Sequence, residues 1–423
     1  MPVTPEISEL ESGMRVVTTP VPTAQSVSVN LFVGAGSRGE DERTKGLAHF
    51  VEHMVFKGTP SRPTAIDIAE AIEGAGGMLN AYTSKEFTCY WNHVPFDRLE
   101  VGVDVLADML SHPLLDAAEI DRERSVVQQE IKRGKDQPGA WVGELMGQAL
   151  FGDHPMGWST AGTEETVAAL ERPDFVDWLG IRCSPPNLVL SVAGNTSHEA
   201  VVALAARHFP QANGRTPPQV LAVDGRLPAR RAIADSRPIA QANLALGLPA
   251  LSRSDPERFP LMVLNALLGR GMSSRLFKEV RERRGLAYSV GSSVSRHSDT
   301  GMLAVSAGVS PENLAEAVRV ILAELEKLVQ EPVGDEEMTK ARDYTIGSFR
   351  LSLETSMALG QRAGENLLTM GEIEPVESVV EKIAAVDAED VLRVARRVLV
   401  PGRTALAVVG PDIAEEALLP LLN

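Results

Sequence analysis

Two cysteines in 423 residues, Cys89 and Cys183, are too few and too far apart for a disulfide framework, and their bulky neighbours suit buried, reduced thiols in a reducing compartment. No stretch approaches the roughly eighteen uninterrupted apolar residues of a membrane span. The opening residues, MPVTPEISELESGM, lack both a basic segment followed by an apolar run and the Arg-rich, acid-poor character of a transit peptide, so a cytoplasmic protein without an anchor is expected. Basic charge is scarce as well. With 41 Lys and Arg against 57 Asp and Glu, the formal charge is −16 at pH 7, which argues against nucleic-acid binding because counterion release needs a basic surface. The acidity suits a cationic ligand, or simply solubility. The 44% hydrophobic and 23% charged fractions are those of a folded globular chain, and its length calls for two or more domains.

Hydrophobic periodicity orders the first half. SVSVNLFVG (26–34) alternates and is β-branched, predicting a strand ended by Gly-Ala-Gly. Residues 46–56 carry a 3.6-residue apolar pattern closed by Gly58 and Pro60, and 65–75 read as a second amphipathic helix stopped by Gly76-Gly77. Residues 78–94 predict two strands around a polar turn near Ser84-Lys85, and helices follow at 96–111 and 117–133. The second half repeats the order: a strand at 241–250, a helix at 260–268, a strand pair within 287–309, and helices at 311–330 and 335–353. Setting 119–131 against 337–349 places Glu123 opposite Ala341 and Glu130 opposite Ser348, so the fold is duplicated and the acids are not. Between the halves, NGRTPPQVLAVDGRLPARR (213–231) has the Pro, Gly and Arg content of a linker. We therefore expect an α+β chain with a catalytic domain at 1–215, a linker at 216–232 and a homologous domain at 233–423.

Histidine is also scarce, eight in the chain, yet His49 and His53 stand four apart in GLAHFVEHMVFKGT. On a helix that spacing puts both imidazoles on one face, a turn apart, where their nitrogens can reach one metal ion at about 2.0–2.1 Å. Glu52 emerges beside the same face, where a carboxylate not needed as a ligand can take a proton from water. Two surface histidines would show the same spacing, but Leu47, Phe50, Val51 and Met54 make this an apolar helix, on which withdrawn imidazoles need partners. A catalytic zinc takes three protein ligands, so a third must come from elsewhere. In DAAEIDRERSVVQQEIKRG, Glu123 and Glu130 are seven apart and share a helical stripe; from these residues alone, a solvated face explains them as well as a metal site does. LLGRGMSS (267–274) lacks the Gly-Lys-Ser/Thr ending of a phosphate loop, which rejects a nucleotide site.

His49-x-x-Glu52-His53 is the inverzincin arrangement, and along nearly its whole length the chain resembles the pitrilysin family, which includes insulin-degrading enzyme and the mitochondrial processing peptidase. Its length is most similar to the short, processing-peptidase-like members. The resemblance implies two homologous α/β-roll domains, each a largely antiparallel sheet packed against helices. It also implies one Zn2+ per chain, with a third ligand about 77 positions after the second histidine, which falls on Glu130. A further glutamate seven residues earlier falls on Glu123 and assists the site from behind the ligands. Asn80-Ala81 resembles the family's edge strand, on which a substrate pairs as an added strand, although Asn80 alone would also suit a turn. In RERRGLAYSV, Arg281 and Tyr288 resemble the family's pair on the substrate carbonyl or oxyanion, with Arg275 and Arg283 as competing cations. The implied activity is that of a zinc endopeptidase on unfolded, basic peptides. The implied assembly is a homodimer enclosing a chamber, in which the second domain of each subunit completes its partner's site. The competing readings are a non-catalytic scaffold subunit of the same fold and a processing subunit that needs a distinct partner chain.

Overall fold

The computed structural model of the chain describes residues 4–209, 218–224 and 227–422. Residues 213–217 and 225–226 of the expected linker lie outside the described residues. The first half contributes strands β1 (Glu6–Glu9), β2 (Arg15–Pro20), β3 (Ser26–Val33), β4 (Met78–Thr83), β5 (Thr88–Pro95) and β6 (Leu188–Gly194). Its helices include α1 (Leu47–Met54), α2 (Ala65–Glu73), α3 (Leu99–Ser111), α4 (Ala117–Lys135) and α5 (Pro138–Phe151). The second half contributes β7 (Ala232–Ser236), β8 (Ala242–Ala250), β9 (Ala287–Arg296), β10 (Gly301–Val309) and β11 (Ala405–Gly410), with helices at Arg258–Gly269, Leu314–Gln330, Asp335–Leu351 and Ser356–Met370 among others.

The strands form two mixed sheets, ordered β1-β2-β6-β3-β5-β4 and β7-β11-β8-β10-β9. In each, one pair is parallel, β2 with β6 and β11 with β7, and the remaining neighbours are antiparallel. Once β1 is set aside, the orders and the position of the parallel pair correspond strand for strand, so the repeat seen in the periodicity is a repeat of topology.

Both sheets are covered on both faces, which is why β3, β6 and β11 are buried along nearly their whole length, Ser28 and Asn30 of β3 included. On the first sheet, Leu31 and Val33 join the large core with Phe50, Val103 and Val127 from the helices, while Phe32, Val17 and Val189 point the other way onto Ala363 and Leu367. Helix Ser356–Met370 comes this close because of its glycines. A Cβ on Gly364 would lie 2.3 Å from the Phe32 ring, and the Gly360 carbonyl accepts a 2.7 Å hydrogen bond from Ser191 Oγ. On the second sheet, Leu244, Leu246 and Val305 face one large core, while Ala245, Ala405 and Ala407 face Val142, Met146 and Ala149 of α5.

The compact units therefore cross the linear division expected from the linker. The first comprises the described residues of Met1–Ile131, Ser159–Leu221 and Leu351–Pro375, and the second those of Lys132–Trp158, Ala222–Arg350 and Val376–Asn423. Each sheet takes the single helix on its second face from the other half of the sequence. Cys89 and Cys183 are free thiols, and burial pushes Cys183 up to about 12.

Candidate metal centre

Helix α1 owes its start to Gly46, whose φ of 93° is left-handed, and to Glu40, whose buried carboxylate accepts the N–H groups of Gly46 (3.0 Å) and Ala48 (2.8 Å). Burial pushes Glu40 up to about 8, with those two amides and Lys85 pulling it back. Leu47, Ala48, Phe50, Val51 and Met54 are buried, and Phe50 meets Phe175 edge-on with centroids 4.9 Å apart. The apolar side of α1 is thereby locked in the core, and His49, Glu52 and His53 emerge on the other side, half-buried. Helix α4 approaches with Ile120, Glu123, Val127 and Ile131 on its buried stripe. Arg124 fastens it, donating to the Leu170 carbonyl at 2.8 Å.

This packing brings three donor atoms together. His49 Nε2 and His53 Nε2 are 3.3 Å apart, and Glu130 Oε2 lies 3.7 and 3.4 Å from them respectively. Ligands at about 2.0–2.1 Å from a tetrahedral zinc are separated from one another by about 3.3–3.4 Å. Two of the separations match that edge length and the third, 3.7 Å between His49 and Glu130, is closed by a small side-chain rotation, so His49, His53 and Glu130 could hold a zinc ion and leave a fourth position to solvent or substrate. They are the only such cluster among the described residues.

Glu123 does not join the cluster; it supports it. Its Oε1 lies 2.8 Å from His53 Nδ1 and its Oε2 2.5 Å from Lys57 Nζ. Burial raises its pKa, but these two hydrogen bonds outweigh burial and hold the carboxyl below its ordinary value. An ionised carboxylate only accepts, so His53 Nδ1 carries the proton and Nε2 presents its lone pair to the cluster. For His53, burial lowers the pKa, yet the bond to Glu123 and the charges of Glu130, Glu123 and Glu52 leave it above the ordinary value. His49 goes the other way, down to about 4, through burial and then the His53 charge. Its Nδ1 is buried with no hydrogen-bond partner among the described residues, where only the cluster side of this imidazole is engaged.

Glu52 stands apart from the three donors. Its pKa is raised by burial, with Glu130 adding to that and Thr83 and His53 opposing it. Thr83, at the end of β4, donates its hydroxyl to Glu52 Oε2. Neither Thr83 nor Lys57 stood out in the sequence, where one is a β-branched strand residue and the other a cation after a helix end. Asn80 and Ala81 lie on the same strand β4, the edge of the first sheet, which pairs only with β5 among the described residues. Asn80 is exposed, and its Oδ1 accepts the Ala81 N–H at 2.8 Å.

Arg281 and Tyr288 belong to the second unit, where the guanidinium lies 5.4 Å from the Tyr288 ring centroid and 4.8 Å from that of Phe277. Tyr288 is 79% exposed. Of the competing cations, Arg275 is engaged by both oxygens of Glu337 at 2.9 and 2.7 Å, and Arg283 pairs with Glu279. Among the described residues Arg281 has no carboxylate partner.

Family comparison fits this construction. Residues 15–164 match the model described as insulinase (peptidase family M16), and residues 170–344 match the M16 inactive domain. An uncharacterized zinc protease of Mycobacterium tuberculosis is 38% identical over 417 residues, covering 98% of this chain and 95% of that protein. The chain belongs to peptidase family M16, the pitrilysin family. An uncharacterized zinc protease of Bacillus subtilis is 34% identical over 408 residues, covering 95% of this M16 chain and 97% of the relative. Among solved structures, a Helicobacter pylori protease superposes with a TM-score of 0.88 at 22% identity, covering 97% of this chain and all of that one. An M16 inactive-domain protein from Pseudomonas fluorescens gives 0.90 at 19% identity, covering 98% and 99%. These two support the M16 fold alone. M16 membership makes the chain a protease at the level of the family, and its relatives' names carry zinc.

Proposed function

We propose that this M16 chain is a zinc endopeptidase for peptides or unfolded segments, with one ion held by His49, His53 and Glu130. The observation that carries the reading is the set of separations among their donor atoms, 3.3, 3.4 and 3.7 Å, with Glu52 beside the cluster but outside it. A zinc ion there supplies Lewis acidity, polarising a peptide carbonyl and lowering the pKa of water. The chain's own residues do the rest. An extended substrate adds to the free edge of β4 through main-chain hydrogen bonds at Asn80 and Ala81. Thr83 occupies Glu52 Oε2, which leaves Oε1 to take the proton of the attacking water and return it to the leaving amine. The raised pKa of Glu52 brings its basicity toward the working pH. Arg281 and Tyr288 supply donors to the developing oxyanion, from a second copy of the chain in a homodimer.

Glu52→Gln is the test. It should retain zinc and lose about a hundredfold or more in kcat on a quenched peptide. Full zinc with full activity refutes the role. Mixing Glu52→Gln chains with Tyr288→Phe chains, each inactive alone, restores activity if the second copy completes the site and restores none otherwise.

A further inference from the structure

One side chain at the centre has no part in the reaction described above. Lys57 lies four residues after His53, just beyond the end of α1, and its side chain is only 24% exposed. Together the two residues bracket one carboxylate of α4, His53 Nδ1 on Glu123 Oε1 and Lys57 Nζ on Glu123 Oε2. With a partner on each oxygen, the carboxylate cannot turn about its own axis without breaking a bond. Glu123 is 7% exposed, so water is a poor substitute for either partner. The orientation of the His53 ring thus depends on Glu123, and that of Glu123 on Lys57. Among the described residues His49 has no comparable support at its Nδ1, so of the two imidazoles His53 is the one held from behind.

We propose that Lys57 is a positioning residue of the metal centre, holding Glu123 in the rotamer that aims His53 Nε2 and so strengthening metal binding. This rests on the reading of His49, His53 and Glu130 as metal ligands. It makes a prediction opposite in sign to simple electrostatics. A positive charge near a cation site weakens cation binding, so a Lys57 that acted only through its charge would tighten the site when removed. A Lys57 that acts through Glu123 loosens the site when removed.

The experiment measures zinc dissociation constants by competition with a chromophoric chelator, at one pH and ionic strength, for the whole chain and its variants. The variants are Lys57→Met, Lys57→Gln, Lys57→Arg, Glu123→Gln and the double variant Lys57→Met/Glu123→Gln. Loss of a direct partner of a ligating histidine costs about 10–100-fold in metal affinity, so Glu123→Gln should fall in that range. Lys57→Met and Lys57→Gln, one bond further out, should weaken zinc by roughly 3–10-fold. Lys57→Arg should restore most of the affinity, and Lys57→Met should add little once Glu123 is Gln. Lys57→Gln keeps the result readable if the Met variant folds poorly. Unchanged or tighter binding in both Lys57 variants, or an equal loss in the Glu123→Gln background, overturns the inference. A wild-type chain that binds no zinc overturns the metal reading itself, which is a different outcome.

Discussion

Replacing Thr83 by Val removes one hydroxyl from β4 while keeping the β-branched shape that a strand position favours. That hydroxyl donates to Glu52 Oε2 and lies 3.4 Å from the hydroxyl of Thr88, its cross-strand partner on β5. A hydrogen bond to a charged group contributes about 1.5–3 kcal/mol, so the bond favours the ionised form of Glu52. Burial already raises this carboxyl, and Thr83 is the first of the groups that oppose it. Without Thr83 the pKa rises further. A general base works only when ionised, so the acid limb of kcat/KM moves to higher pH. The loss should be about tenfold at pH values below the limb and should shrink toward alkaline pH, where only the cost of a less well-held carboxylate remains. The assay is kcat/KM on a quenched peptide from acid to alkaline pH for wild type, Thr83→Val and Thr83→Ser, with zinc content and thermal midpoint measured on the same samples. Thr83→Ser keeps the donor and should restore the wild-type limb. Superimposable limbs for wild type and Thr83→Val, or a Ser variant no better than Val, refute the reasoning.

Zinc affinity should itself depend on pH. Metal binding needs neutral imidazoles; His53 lies above its ordinary value and His49 is down at about 4. As pH falls through the His53 pKa, the dissociation constant should rise about tenfold per unit, with one proton released per ion bound. A two-proton slope in a chelator-competition titration at mildly acidic pH contradicts this assignment. Gly46→Ala should be costly, because φ there is 93° and an added Cβ would sit 2.6 Å from the Ala161 carbonyl oxygen, a backbone atom that cannot step aside. The left-handed conformation alone costs about 1–2 kcal/mol for a non-glycine residue, so urea unfolding should report a loss of at least that size; a loss near zero means that α1 can start without this glycine.

The reach and the limit of the sequence show in α1 and α4. The histidine pair was legible because helical periodicity alone decides that positions 49 and 53 share a face, and the apolar neighbours decide that the face lies near a core. Glu130 was legible only through a family spacing, since a charged residue on α4 looks the same in sequence whether it meets solvent or two imidazoles. Glu123 sits at 7% exposure among Ile120, Val127 and Ile131, a burial produced by α1 packing against it and not by its own neighbours. Thr83 and Lys57 carried no signal for the same reason: their partners are 31 and 66 positions away and on different elements. The strands β6 and β11 belong with β3 and β8 through pairings of long sequence separation, and short apolar runs do not announce their partners. The linker composition suggested a clean cut between two halves, whereas α5 and helix Ser356–Met370 each lie on the sheet built by the other half, an exchange that no local pattern encodes.

That exchange has a consequence for how the polypeptide is made. The first sheet is complete in strands once β6 has left the ribosome, yet Phe32, Val17 and Val189 stay bare on one side until the segment ending at Met370 follows. Between the emergence of Gly194 and that of Met370 the nascent chain carries an uncovered greasy sheet, the kind of species that aggregates or recruits chaperones. Splitting the gene within the connecting segment should leave two insoluble fragments, which regain solubility only when they are synthesised together.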